Sequence, residues 1–252
     1  MLSSAGSRSP SVDTRLTLSL VFPAYNEEGA IDAVVQKTLR AKERLLRELL
    51  LASVEIIIVD DGSQDATYRN ASAYGDLVVL LRHEENRGYG AALKTGISRA
   101  RGELLGYMDL DGTCDPSSFI PLCRVLLEQD ADMVLGKRLH GQSQMPTTRR
   151  LGNRIFSMLV RCLVQTEVSD LATGMRVFRR RALPQLQRLP DGLDFAFAMS
   201  CHAVMSHRHR VVEIPIPYSD RIGQSKLHPI RDGLRFLRVI THTFFQRRSD
   251  TC

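Results

Sequence analysis

Asp109 and Asp111 close the segment LLGYMDLDG at residues 104–112. An apolar run that reads as a buried strand ends there in two carboxylates spaced two apart. If the chain turns at Gly112, both side chains reach the same crevice. Two hard oxygen donors with open positions suit Mg2+ or Mn2+, and such an ion can carry a diphosphate and stabilise its departure. The same residues also fit a strand end followed by an Asx turn before Asp115-Pro116. Taken alone, the pair leaves both readings open.

The elements around it narrow the choice. LTLSLVFP (16–23) reads as a strand, and residues 29–50 carry apolar side chains at helical spacing. VEIIIVD (54–60), DLVVLLR (76–82), ELLGYMD (103–109) and ADMVLGKR (131–138) read as further strands. Helices are expected at 65–74, 89–101 and from Pro116 to about Gln129. This alternation predicts a mostly parallel sheet covered by helices. Ligands then bind beyond the C-terminal strand ends. Those ends carry Pro23-Ala24-Tyr25-Asn26-Glu27-Glu28, Asp60-Asp61-Gly62-Ser63, Asn86-Arg87-Gly88-Tyr89-Gly90 and Asp109-Leu110-Asp111. The second half is less regular. Helices are expected at 147–165, 193–207 and 229–246, and strands at 175–180 and 210–218, the latter a sheet edge because of its prolines.

The chain of 252 residues is 43% hydrophobic and 25% charged, an ordinary globular composition. Residues 1–135 hold 14 Lys/Arg and 20 Asp/Glu, whereas residues 136–252 hold 20 and 8. An acidic half joined to a basic half suggests a cation site facing an anionic partner. Five cysteines without a C-x-x-C pair argue for a reducing compartment and against a disulfide framework or a zinc site. No apolar run approaches the roughly 20 residues that span a bilayer. Residues 1–14 read as a disordered tail without a signal-peptide core, 15–227 as one domain, and 228–252 as an amphipathic helix and tail. In that helix Leu234, Leu237, Ile240, Thr241 and Phe244 share a face, with Arg231, Arg235 and Arg238 on another. It lies on an anionic membrane surface or packs on its own domain. Gly88-Tyr89-Gly90 opens a helix as a dinucleotide fingerprint would, but Leu93 stands where a third glycine or alanine belongs. Few aromatics accompany the basic half, which disfavours a nucleic-acid binder.

VFPAYNEE, EIIIVDDGSQDAT, ENRGYGAALKTGI, MDLDG and RIGQSKL, in that order, resemble the inverting GT-A glycosyltransferases of family 2. The similarity runs from about residue 16 to 240, toward the branch of dolichyl- and polyprenyl-phosphate mannose and glucose synthases. The resemblance implies an α/β GT-A fold, a single Rossmann-like domain with a mostly parallel central sheet. It further implies that Pro23, Ala24, Tyr25 and Glu27 line the nucleotide pocket, with Asp60 and Asp61 against base or ribose. Asp109 and Asp111 would hold Mg2+ or Mn2+ on the donor diphosphate, with Arg221 and Lys226 of R-x-G-x-S-K-L nearby. Arg138, Arg149, Arg150, Asn153 and Ser225 would take the acceptor phosphate, since guanidinium groups and a helix start hold phosphate well. Asp170 would orient the acceptor or act as base. A phosphate monoester is already mostly dianionic near neutral pH, so it attacks without a strong base.

Two positions depart from the family pattern. Thr113 stands where many relatives carry Gln, its hydroxyl still within reach of a metal or its water. Leu193–Ala198, LDFAFA, replaces a Glu-rich run. The implied reaction moves a hexose from GDP-mannose or UDP-glucose to a polyprenyl phosphate, on the cytoplasmic face of a membrane. A soluble acceptor, or nucleotide-sugar binding without activity, are the competing expectations.

Overall fold

The computed structural model describes residues 16–138, 147–164, 166–206, 208–223 and 229–249. In chain order these form β1 (Thr17–Ala24), α1 (Ile31–Glu48), β2 (Ser53–Asp60), α2 (Thr67–Ser72), β3 (Val79–Arg82), α3 (Tyr89–Arg99), β4 (Leu104–Met108), α4 (Phe119–Glu128), β5 (Met133–Lys137), α5 (Thr147–Val164), β6 (Met175–Arg179), α6 (Phe195–Met205), β7 (Val211–Pro215) and α7 (Pro229–Ser249). The expected strand at 76–82 is shorter, because a 3-10 turn at Gly75–Leu77 precedes it.

One seven-stranded sheet runs β3-β2-β1-β4-β6-β5-β7. β6 lies antiparallel between β4 and β5; the other pairs are parallel. The sheet is therefore mostly parallel, as expected, with one reversal that strand patterning does not reveal. β7, with its prolines, is an edge strand.

Both faces of the sheet are covered, which explains the continuous apolar strands. Leu18, Leu20 and Phe22 of β1 face a core with α1 and α4; Val21, with Ile57 and Val59 of β2, faces a second core with α3 and α6. Helix α1 buries Ile31, Val34, Val35, Thr38, Ala41 and Leu45, a stripe at helical spacing. Helix α6 buries nearly every residue and sits inside the second core, as a helix apolar on all sides must.

Helix α7 corrects one expectation. Its buried side is Ile240 and Thr243, with Phe236 and Val239 partly covered, whereas Leu234 and Leu237 are exposed. The reason is an aromatic contact: the Phe236 ring stacks on Phe197 of α6 at 4.5 Å and meets Phe156 of α5 edge-on at 5.4 Å. The helix packs on the domain through that face, and its leucines point elsewhere. Among the described residues no helix is long and apolar enough to cross a membrane.

Candidate active site

Parallel register lines up the strand ends. Ala24 pairs with Asp60, and Asp60 with Arg82, so β1, β2 and β3 finish side by side. The loops beyond them are tied together. Asn26, in the left-handed region at φ 50°, donates its amide to the Ser63 hydroxyl and accepts the Gln64 amide at 2.9 Å. The Glu27 amide donates to the Thr67 hydroxyl at 2.8 Å. Pro23 and Ala24 are buried within β1, and the Ala24 carbonyl accepts the Asp61 amide. Tyr25, half-buried, is the first side chain of that loop to emerge.

Asp60 and Asp61 are both buried but do different things. Asp60 accepts the Ser63 amide, and its Oδ2 lies 3.3 Å from Arg82 Nε, close enough to attract but off a hydrogen-bond direction. The Arg82 guanidinium covers the Tyr68 ring at 4.3 Å. Asp61 has hydrogen-bond partners of its own. It accepts the Arg87 and Gly88 amides at 3.0 and 2.8 Å and pairs with His83 Nδ1 at 2.6 Å. It thereby holds the loop that leads into α3, a task that its place in the sequence does not announce.

The glycine-rich start of α3 is not a phosphate cradle. Its Gly90 and Ala91 amides donate to the Asp191 carbonyl, and Gly88 and Gly90 press against the backbone at 190–191. What this helix contributes is Tyr89, whose hydroxyl donates to Asp109 Oδ1 at 2.6 Å. Burial, then the charge of Asp109, raises the Tyr89 pKa well above the usual phenol value, so it remains a donor.

Asp109 lies just beyond β4, and Asp111 in the bend that follows. Burial and the adjacent Asp111 charge push the Asp109 carboxyl up to about 6, against the Tyr89 hydrogen bond and the charges of Arg138 and Arg221. Asp111 accepts the Thr113 amide and hydroxyl on Oδ1, at 3.0 and 2.6 Å, and pairs with Arg221 through Oδ2 at 3.0 Å. Arg221 also meets Glu27 at 2.5 Å, while its Nε is buried without a partner among the described residues. Ile222, next in the chain, donates its amide to the Asp111 carbonyl and lies over Gly112, which turns at φ 78°.

This donor set fits a divalent cation. Two carboxylates and a hydroxyl supply hard oxygens, and like charges that oppose each other call for a counter-charge. Among the described residues no third His, Cys, Asp or Glu completes a cluster. Such partial ligation is the arrangement in which substrate phosphates complete the shell of Mg2+. Asp109 and Asp111 would hold the ion, which would supply charge stabilisation for a departing diphosphate.

Across the crevice stands the basic side. Asp170, fully buried, accepts the Arg138 amide at 2.8 Å and clamps its guanidinium through Nε and Nη2 at 3.0 and 2.8 Å. Burial opposes the Arg138 charge, but Asp170 outweighs it and raises the pKa. Arg149, Arg150 and Asn153 fall in the first two turns of α5; their side chains, and Ser225 and Lys226 entirely, lie outside the described residues. The departure at 193–198 is resolved physically: Phe195–Ala198 begin α6 and are core, with the Arg176 guanidinium donating to the Ala196 carbonyl at 2.9 Å.

Four participants escaped sequence reasoning. Tyr89 was hidden inside a motif read for its glycines. Arg176 lies behind the crevice, fully buried, with its guanidinium 4.9 Å from the Tyr107 ring centroid. Glu213 sits in an edge strand. Gly174 lies directly beyond the Met108–Met175 pair of the antiparallel register, so it faces Asp109. A Cβ there would overlap the Asp109 carboxylate. No local pattern marks such a contact.

A family model described as Glycosyl transferase family 2 matches residues 19–186. The chain belongs to that family. Among curated relatives in Haloferax volcanii, this family 2 chain is 31% identical over 232 residues to "Low-salt glycan biosynthesis hexosyltransferase Agl6", covering 90% of itself and 54% of that protein. It is 29% identical to "Dolichyl-phosphate hexose transferase", covering 92% of itself and 95% of that protein. It therefore spans about half of the first relative and nearly all of the second. A glucosyl-3-phosphoglycerate synthase from Mycobacterium tuberculosis, solved with Mn2+, uridine diphosphate and phosphoglyceric acid, superposes with a TM-score of 0.65 at 20% identity, over 92% of this chain and 78% of that one. That likeness carries the fold, the GT-A α/β arrangement expected above.

Proposed function

We propose that this family 2 glycosyltransferase moves a hexose from a nucleotide-sugar to a polyprenyl phosphate, with inversion and with Mg2+ or Mn2+ at Asp109 and Asp111. The observation that carries the reading is the juxtaposition of an acidic pair with a clamped arginine: Arg138 is close enough for its charge to counter the rise of the Asp109 pKa. A diphosphate donor on the acidic side and a phosphate acceptor on the basic side would then meet in one crevice. The dolichyl-phosphate hexose transferase of Haloferax volcanii, matched over nearly its whole length, supports that acceptor class.

In this reading Tyr25 and Asp60 contact the nucleoside, and Arg221 and Lys226 take the diphosphate. Arg138, Arg149, Arg150, Asn153 and Ser225 orient the acceptor phosphate, whose oxygen attacks the anomeric carbon as the nucleoside diphosphate leaves. Alignment supplies most of the acceleration, since the nucleophile is already ionised. The outer face of α5 supports delivery from a bilayer. Leu151, Ile155, Met158, Leu159 and Leu163 are exposed there beside Arg154 and Arg161, and Leu234, Leu237 and Arg238 of α7 are exposed too. Apolar side chains flanked by arginine suit an anionic membrane surface.

A soluble phosphorylated acceptor is the second reading. The apolar start of α6, which places no carboxylate from 195–198 in the crevice, favours it. A donor panel separates the two. Purified protein with Mn2+ or Mg2+ receives each common nucleotide-sugar, with and without farnesyl phosphate, and Asp109→Asn serves as control. Glycolipid formed from one donor and absent in the variant is the expected result. Nucleoside diphosphate released without glycolipid moves the assignment to a soluble acceptor. No product with donor binding intact would leave nucleotide-sugar binding as the function.

A further inference from the structure

We infer that Glu213 is a positioning residue for the acceptor phosphate, acting on Arg138 through the Ser169-Asp170 turn. The inference rests on the polyprenyl-phosphate reading above and assigns a role to a residue which that reading leaves out.

Glu213 lies in β7, opposite Leu135 of β5, and its carboxylate is only 13% exposed. Its Oε2 accepts the Ser169 and Asp170 amides at 2.8 and 3.1 Å. Its Oε1 accepts the Ser169 hydroxyl at 2.6 Å and Lys137 Nζ at 2.9 Å. One carboxylate thus gathers two consecutive backbone amides, a hydroxyl and an ammonium. Charge-assisted bonds of this kind fix a turn far more firmly than neutral ones.

The turn is what aims Asp170. Its carboxylate is fully buried and grips Arg138 in a fork, through Nε and Nη2, besides the Arg138 amide. A guanidinium has five N–H groups, so this grip leaves three to point elsewhere. The Arg138 side chain is 12% exposed, so part of it remains accessible to a ligand. Both oxygens of the Asp170 carboxylate are committed to Arg138, through its amide and its guanidinium. Asp170 therefore orients Arg138 rather than acting as base, and Glu213 orients Asp170. Edge strand, turn and guanidinium form one rigid chain, of the kind that holds a binding group within the narrow tolerance phosphate recognition needs.

The test is a double-mutant cycle on the full chain with Glu213→Gln, Arg138→Met and both together. Gln puts an NH2 or a neutral oxygen against the two amides and loosens the turn. The primary readout is farnesyl phosphate affinity by calorimetry, with no donor present; the second is affinity for uridine and guanosine diphosphates with Mn2+. Glu213→Gln weakens farnesyl phosphate binding roughly tenfold. The double variant binds no more weakly than Arg138→Met alone, because both changes remove one interaction. Nucleoside diphosphate affinity changes less than about twofold in Glu213→Gln, which keeps the Arg138 charge in place. If Glu213→Gln binds like wild type, or if the two losses add, the inference is wrong. Should that variant not fold, Ser169→Ala removes one of the four bonds, and an intermediate loss through Arg138 is required instead. Should wild type bind farnesyl phosphate no better than inorganic phosphate, the polyprenyl reading fails. The cycle run with inorganic phosphate then decides the relay by the same criteria. Binding of neither probe overturns both.

Discussion

Asp109 is held where burial and a second carboxylate both oppose its charge. Its folded-state pKa of about 6 lies above the ordinary 3.8, so its ionisation opposes folding fully above the higher value and not at all below the lower. Asp109→Asn should therefore stabilise the metal-free protein by about 3 kcal/mol at pH 8, the gain vanishing toward pH 4, as urea unfolding at several pH values would show. The same variant should lose at least about a hundredfold in turnover if, as proposed, Asp109 holds the metal. Gly174 is the counterpart on the neighbouring strand. Gly174→Ala should displace the Asp109 carboxylate and lower kcat/KM by roughly a hundredfold, the scale expected for an ångström of misplacement, with the thermal midpoint recorded alongside. None of this was legible in the Met-Asp-Leu-Asp segment. Its two carboxylates announce hard-oxygen chemistry, but Gly174 and Tyr89 reach them only through strand register and a helix start.

At the scale of elements, the loop that closes on the acidic pair and the helix that closes the second core each make a claim. Residues 218–222 are stitched to the D-x-D turn by Ser219 donating to the Thr113 carbonyl at 2.9 Å and Ile222 to that of Asp111 at 3.0 Å. Arg221 is thereby held as the positive partner of Asp111. Arg221→Met should let Mn2+ bind the donor-free protein more tightly, by about threefold or more, while transfer falls; a paramagnetic-resonance titration checks the first and a turnover assay the second. For α7, Phe236→Ala removes a stacked ring from α6 and should cost about 2 kcal/mol in urea unfolding. The elements themselves were largely readable, because strands buried on both faces are continuous apolar runs and α1 has a clean helical stripe. The direction of β6 was not, since nothing in MRVFR distinguishes parallel from antiparallel pairing. The face of α7 was misread for a similar reason: its leucines and its phenylalanine compete for the inside, and the partner helix decides.

For the whole molecule, the acidic and basic halves are not kept apart, because Arg221 of the basic half pairs with Glu27 and Asp111 of the acidic half. Among the described residues the apolar outer face of α5 is exposed. Replacing Leu151, Ile155 and Met158 together by Ser should weaken binding to phosphatidylglycerol vesicles by at least about tenfold in a sedimentation assay, added salt weakening wild type as well. Transfer to farnesyl phosphate in detergent should persist. The reversed strand carries a consequence of its own. Because β6 runs against β4, residues 166–174 enter the crevice at the start of a strand, while all four loops from 23 to 111 that face them arrive at strand ends. On the proposed reading this acceptor-facing segment is a short cassette, spliced into the sheet from the opposite direction. On that reading, lineages or protein engineers can rewrite residues 166–173 to change what receives the sugar, provided Gly174 is kept, because a side chain there would displace Asp109.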